Sequence, residues 1–243
     1  MLIHSKYHTR PFFSDFSMGN EKLTTTAKAW SVGVVIDDNM IFDVRISDIG
    51  RSSFYQLRNL SKIRKYLTRE SSEIAMHAFI TSKLDYYNSL LYGCRKMQLK
   101  KLHFIQNTAA RIITRTRKFD HITPVLSDLH RLPVSYRFVF KILLLVFKSL
   151  NHLSPSYLAE RLLLYQSHSR NLRSSSRQLL EQPRSFTKTY GDRAFSVRAF
   201  KLWNSLPFDL RKSPSLTIFK KRLKTYLFRK FLESGTCFCK SIF

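Results

Sequence analysis

The chain has 243 residues, 44% of them hydrophobic, and sets 42 Lys and Arg against 16 Asp and Glu for a formal net charge of +26. The apolar content is enough to bury a core in one or two domains. The charge selects RNA or DNA as partner, since each cation placed on a phosphate releases a condensed counterion.

The charge is uneven. Residues 1–92 carry 12 basic and 9 acidic side chains, and residues 93–243 carry 30 and 7. A nucleic-acid-facing region joined to a more neutral packing region has this asymmetry. A solvated basic surface without a ligand is the alternative, although most soluble proteins lie nearer neutrality. Three cysteines, Cys94, Cys237 and Cys239, form no disulfide framework and suit a reducing compartment. The start, MLIHSKYHTRPFFSDF, lacks the apolar run of a secretory signal. The most apolar stretch, Phe138–Leu150, is too short to span a membrane and holds Lys141 and Lys148. The expected location is therefore intracellular, in nucleus or cytoplasm.

In chain order, residues 1–30 lack periodicity and are expected to be poorly structured, broken by Pro11, Gly19 and Asn20. The β-branched run Ser31–Asp37 predicts a strand, and Asp38-Asn39 a turn. Ile46, Ile49, Phe54, Leu57, Leu60, Ile63 and Leu67 recur at helical steps and predict one buried face, weakened at Gly50. Thr68 is the expected N-cap of a second helix with Ile74, Ala78, Leu84, Tyr87 and Leu91 inward and Gly93 as its stop.

A third helix is expected over 96–116. Leu99, Leu102, Ile105, Ala109 and Ile112 form its inner side, and Lys96, Lys100, Lys101, His103, Arg111 and Arg115 its outer side. Pro after a hydroxyl residue, at Thr123-Pro124, Ser154-Pro155 and Ser213-Pro214, places Pro at the first position of three later helices. An apolar helix enters after Pro133 and covers 135–151. The last helix runs from 213 to about 231 with Leu216, Phe219, Leu223, Leu227 and Phe231 as its stripe. Residues 166–190 read as a Ser/Arg loop with a short hairpin around Gln178–Glu181 and Ser185–Tyr190, followed by helical spacing through Phe195, Ala199 and Leu202 up to Pro207. The predicted fold class is mainly α, a thumb-like helical bundle with one or two short strands and a small hairpin.

Three long phrases go beyond general physics. They are LDYYNSLLYG (84–93), the run from Leu102 to Leu158 that begins LHFIQNTAARIITRTRKFDHITPVL, and YGDRAFSVRAFKLWNSLPFDLRKSPSLTIFKKRLKTYLF (190–228). With VGVVIDDNMIFDVRIS (32–47) they resemble, in order over about 30–232, the region after the catalytic palm of reverse transcriptases from LINE-type, jockey-like non-LTR retrotransposons. The resemblance implies four regions: an extension (1–30), the palm-to-thumb transition and first thumb helices (31–92), a basic helical C-terminal region (93–232) and a flexible tail (233–243). The fingers, palm and endonuclease of that family have no counterpart in these residues. The implied function is that of a remnant of a transposable element's RNA-directed DNA polymerase, not an enzyme on its own, that grips RNA or an RNA–DNA duplex by its backbone without reading sequence. Two alternatives stay open: a fragment of an active enzyme whose palm is encoded upstream, and a relic without function.

The expected contacts to the polyanion are Arg95, Lys96, Lys100, Lys101, Arg111, Arg115, Arg117 and Lys118 around the third helix, Arg170, Arg173 and Arg177 in the Ser/Arg loop, and Lys220, Lys221, Arg222 and Lys224 on the last helix. No catalytic residue, metal, cofactor or small-molecule substrate is expected, and the oligomeric state stays open. Asp37-Asp38 is the one tempting polymerase-like pair. It lacks the aromatic and small residues that precede such a pair and has only Asp15 and Glu21 upstream, so a strand-end turn is expected. Cys237 and Cys239 lack a second ligand pair for zinc. Trp203 is expected to be a core anchor. Weak membrane association through the basic helix 213–231 ranks last.

Overall fold

The computed structural model describes residues 16–18, 21–23, 26–162, 178–181, 183 and 191–233. The fold is mainly helical with short antiparallel strands, as the sequence pattern predicts. β1 (Phe16–Met18) pairs with β2 (Glu21–Leu23), and β3 (Lys28–Ser31) with β4 (Val34–Asp37). Two of these strands and most of a third lie within the first thirty residues, which periodicity leaves without elements.

The strand predicted over 31–37 is the second half of a hairpin. Val32 and Gly33 take φ of 47° and 72° and turn the chain between Ser31 and Val34. Positive φ at both central positions is the type I′ pattern of a two-residue hairpin loop, which Gly adopts freely and Val does not. The Tyr86 hydroxyl donates to the Val32 carbonyl at 2.7 Å and pins this turn to the helices. Val34 and Val35 are buried beneath it, while Trp30 is exposed.

Asp37 then directs the chain into α1 (Asp43–Ile63). Its two carboxylate oxygens accept the N–H groups of Ile41 and Phe42, each at 2.9 Å. The buried line of α1 is Ile46, Ile49, Ser53, Leu57 and Leu60. Phe54 and Ile63, expected inside, are exposed, because Ser53 holds the place in the i, i+3, i+4 line assigned to Phe54. Phe54 lies outside against Phe104, with ring centroids 5.8 Å apart. Gly50 sits in an unbroken helix.

The Thr68 cap is as expected: its hydroxyl accepts the Ser71 N–H at the start of α2 (Arg69–Met76). The face beyond it is not. A π-helical turn, His77–Thr81, separates α2 from α3 (Ser82–Asp85), and the buried residues are Met76, Ile80 and Leu84. Ile74, Ala78 and Tyr87 face outward: Ile74 already lies off the Ser72–Met76 face of α2, Ala78 sits in the wide turn, and Tyr87 follows α3 with φ 54°. A 3-10 turn (Asn88–Leu91) follows, with Leu91 buried, and Gly93 takes φ 80° where the chain reverses.

α4 (Lys96–Thr114) buries far more than one stripe. Gln98, His103, Gln106, Ala110 and Ile113 join Leu99, Leu102, Ile105 and Ala109, whereas Ile112 is half-buried. His103, expected on the outer face, is thus a core residue, because α4 is covered by α1, α2, α5 (Ile122–Asp128) and α6 (Val134–Leu150) together. Gln106 ties α4 to the entry of α6. Its amide donates to the Leu132 carbonyl at 2.7 Å and its oxygen accepts the Val134 N–H at 2.9 Å.

The prolines do begin helices, but not at the expected first position. Pro124 is the third residue of α5. Pro155 precedes α7 (Ser156–Ala159), as Pro133 precedes α6 and Pro207 precedes α9 (Phe208–Arg211). Each of these three has extended φ/ψ while its carbonyl accepts the first helical N–H. A ring that fixes φ and offers no N–H is tolerated there because the N–H groups of a first turn have no intrahelical partner. Pro214 lies two residues before α10 (Leu216–Glu233).

α8 (Phe195–Asn204) delivers Trp203, 1% exposed, into the core, where its indole N–H donates to the Gln178 carbonyl at 2.8 Å. Asn204 holds Leu180 through both amide groups, so Gln178–Glu181 is fixed against α8. The hairpin partner expected at 185–190 lies outside the described residues. One contiguous cluster of buried residues runs from Phe42 to Phe231. Residues on both sides of position 92 contribute to it.

Replacing Gln106 by Leu leaves a buried carbonyl and a buried N–H unpaired and is expected to lower unfolding free energy by about 3 kcal/mol, read from the urea midpoint. Burial holds the His103 pKa down to about 4 from its ordinary 6.5. The unfolded chain takes up this proton first, so the contribution of His103 is complete above pH 6.5 and is lost as pH falls towards 4. Stability should drop by about 3 kcal/mol across that window, and His103→Leu should flatten this part of a urea-unfolding pH series.

Candidate nucleic-acid interface

α10 begins where Ser215 accepts the Phe219 N–H on its carbonyl and the Ile218 N–H on its hydroxyl. Phe219, Leu223, Leu227 and Phe231 are buried, as the stripe predicts, and Leu216 is half-buried. Phe219 stacks on Phe147 with centroids 4.2 Å apart and an interplanar angle of 14°, and lies 6.0 Å from Trp203. Phe231 meets Tyr136 edge-on at 5.9 Å. The inner face is thereby locked onto α6.

The outer face presents Lys220, Lys221, Arg222 and Lys224, with Arg229 and Lys230 beyond, all exposed. Among the described residues none of the six forms an ion pair; Arg222 reaches only the Asp209 carbonyl, at 3.5 Å. Lys220 and Lys224 are like charges four residues apart, which costs a helix a few tenths of a kcal/mol. The face is built against its own stability.

α4 divides its cations between two ends, about 28 Å apart along its axis at 1.5 Å per residue. Lys96, Lys100 and Lys101 are exposed near the N-terminus, where the helix dipole disfavours positive charge, and no acid stands in the first turn. Arg95 beside them pairs loosely with Asp43 at 3.8 Å, both side chains more than half exposed. Such a pair stabilises little.

At the other end, two arginines hold the structure. The Arg64 guanidinium donates to the carbonyls of Leu67, Ile112 and Ile113, the shortest at 2.6 Å, and so caps the C-terminus of α4 from a distant segment. Arg111 donates to the carbonyls of Arg117 and Asp120 and closes the following loop, in which the Asp120 carboxylate accepts the Arg117 N–H. Arg115, Arg117 and Lys118 remain exposed, Arg115 reaching the Arg64 carbonyl at 3.4 Å.

Beside them lie two rings in solvent. Tyr66 is 77% and Phe119 92% exposed, with Lys65 Nζ 4.7 Å from the first ring centre and Lys118 Nζ 5.9 Å from the second. Exposed rings flanked by cations are what single-stranded nucleic acid stacks on. Helical periodicity does not single out Arg64, Lys65, Tyr66 and Phe119. A signal was present: Arg64-Lys65-Tyr66 and Arg117-Lys118-Phe119 repeat one cation–cation–aromatic pattern, and the fold brings both to the same end of α4.

Arg170, Arg173 and Arg177 lie outside the described residues, as do Cys237 and Cys239. Cys94 is buried, and burial pushes its thiol up to about 11. Both oxygens of Asp37 are occupied by backbone amides. Among the described residues no three His, Cys, Asp or Glu side chains gather as a metal site, and no helix is long and apolar enough to cross a membrane. Comparison with protein-family models, with curated proteins and with solved structures gives no match.

The two kinds of cation separate on mutation. Arg64→Ala strips three carbonyls of their donor and should destabilise by about 2 kcal/mol, whereas Arg117→Ala and Lys118→Ala should stay within about 0.5 kcal/mol of the parent chain, both read by thermal unfolding.

Proposed function

We propose that the chain binds RNA or DNA by its backbone, tolerant of sequence and without catalysing polymerisation, as a remnant of the post-palm region of a LINE-type reverse transcriptase. The observation that carries this reading is the outer face of α10: exposed cations along one rigid helix, none ion-paired among the described residues, with mutual repulsion unrelieved. A polyanion relieves it, because phosphates neutralise the lysines and the released counterions supply entropy. Lys and Arg read phosphate charge and not base edges, so sequence tolerance follows. The platform of Tyr66, Phe119, Lys65, Arg115, Arg117 and Lys118 adds rings on which unpaired bases stack whatever their identity. Asp37 supports the non-catalytic part of the reading, since its carboxylate is spent on the entry to α1.

Filter binding of single-stranded RNA and of an RNA–DNA hybrid across a salt series tests this. Affinity should fall linearly on logarithmic axes. Replacing Lys220, Lys221, Arg222 and Lys224 together by Ala should reduce the magnitude of the slope by roughly 3 to 4 with the melting midpoint unchanged. Tyr66→Ala with Phe119→Ala should weaken single-strand binding by about 1–3 kcal/mol per stacked base and leave the slope alone. A salt-independent affinity, or a quadruple variant with the parental slope, contradicts the reading.

A further inference from the structure

A cavity of about 340 Å³ opens between Met40–Phe42, the 3-10 turn Asn88–Leu91, α6 and the start of α8. Phe42, Leu90, Tyr92, Ile142, Leu145 and Phe195 make its walls apolar, and its polar groups are few: Ser89, Arg193 and Arg198. We propose that this cavity binds an acidic amphiphile, a carboxylate on an aliphatic or aryl body, with its head on Arg193 and Arg198 and its body against the apolar walls.

The two guanidinium groups are the first support. Both side chains lie against Gly93, where an added Cβ would come within 3.3 Å of Arg193 Cγ and 3.6 Å of Arg198 Nη2. Arg193 lies over the Phe42 ring at 5.5 Å and donates to the Met40 carbonyl at 2.9 Å. Arg198 lies over the Tyr92 ring at 5.0 Å, and its Nε is buried without a hydrogen-bond partner. Among the described residues no carboxylate pairs with Arg198, and the nearby Asp192 is turned to Lys201 at 3.9 Å. Arginine cannot relieve crowding by losing its proton. Arg198, whose Nε is a desolvated donor, is compensated when an anion arrives.

The second support is the backbone. α8 starts at this cavity with no side-chain cap on its first turn, and Ala194 and Phe195 are part of the wall. The N–H groups of that turn therefore add partial positive charge on the side of the arginines. The third is size and lining. The volume falls within the range of small-molecule sites and is much larger than a bare phosphate or sulfate needs. Apart from Ser89 and the two arginines the lining is apolar, so an apolar body carrying one anionic head suits it. None of the cations assigned to nucleic acid lines the cavity, and no reaction is assigned to it.

The test is isothermal titration of the full chain with decanoate, below its micelle concentration, against decanol. One decanoate should bind per chain, at least about ten-fold more tightly than decanol, the gap expected of a charge-assisted contact. Arg198→Gln should remove most of that gap and leave decanol binding unchanged, Arg198→Lys should restore part of it, and Leu145→Trp should abolish both by filling the cavity. Decanol binding as tightly as decanoate, unchanged decanoate affinity in Arg198→Gln, or no decanoate binding by a parent chain that unfolds cooperatively would each overturn the proposal. Nucleic-acid binding by Arg198→Gln should match the parent, so the two readings stand or fall separately.

Discussion

Burial of α6 is the constraint on which the other helices depend. Its 17 residues turn ten side chains inward, and α4, α8, α10, α7 and the 3-10 turn before Gly93 all pack on it. Each large apolar side chain removed from water here contributes about 1.5–3 kcal/mol, so the helix is worth burying on nearly all sides. A helix of that kind cannot sit at a surface, and its neighbours must supply amphipathic faces. Gln106 sets where it enters by satisfying the two backbone groups that flank Pro133. The stack of Phe147 on Phe219 then fixes the rotation of α10, and with it the direction in which the lysines of α10 point.

The cations fall into two physical kinds. Arg64 and Arg111 have exchanged water for backbone carbonyls and act as fasteners between segments. Lys96, Lys100, Lys101, Lys118 and the lysines on the outer face of α10 have no such carbonyl contact among the described residues, and several sit where their own helix repels them. Stability alone does not place lysines at a helix N-terminus or four residues apart without acids between them.

Much of the helical architecture was legible from periodicity, because in α10 only one face is covered and its residues Phe219, Leu223, Leu227 and Phe231 repeat at four-residue steps. Legibility failed where several neighbours cover one helix or where the backbone leaves its regular form. His103 looks like a surface residue by composition and is buried because four helices close over α4. Phe54 looks like a core residue and is displaced by Ser53. A β-branched Val32 at positive φ hides a turn that propensity argues against, and only Tyr86, more than fifty residues away, explains it. For the interface, the basic face of α10 could be read directly. The structural employment of Arg64 could not, since capping of a helix by a remote side chain leaves no local pattern.

The π-helical turn carries one more consequence. Met76 and Leu84 are eight residues apart, which in a regular α-helix would leave them about 80° out of line; the wide turn absorbs the difference and keeps both inside. Two regular turns need about seven residues, so the segment holds one residue more than its packing requires. A chain shortened by one within His77–Thr81 could wind straight and still seat the same methionine and leucine, whereas a loss inside α4 would swing every later side chain by about 100°. This short stretch is therefore where the bundle should tolerate the loss of one residue most easily.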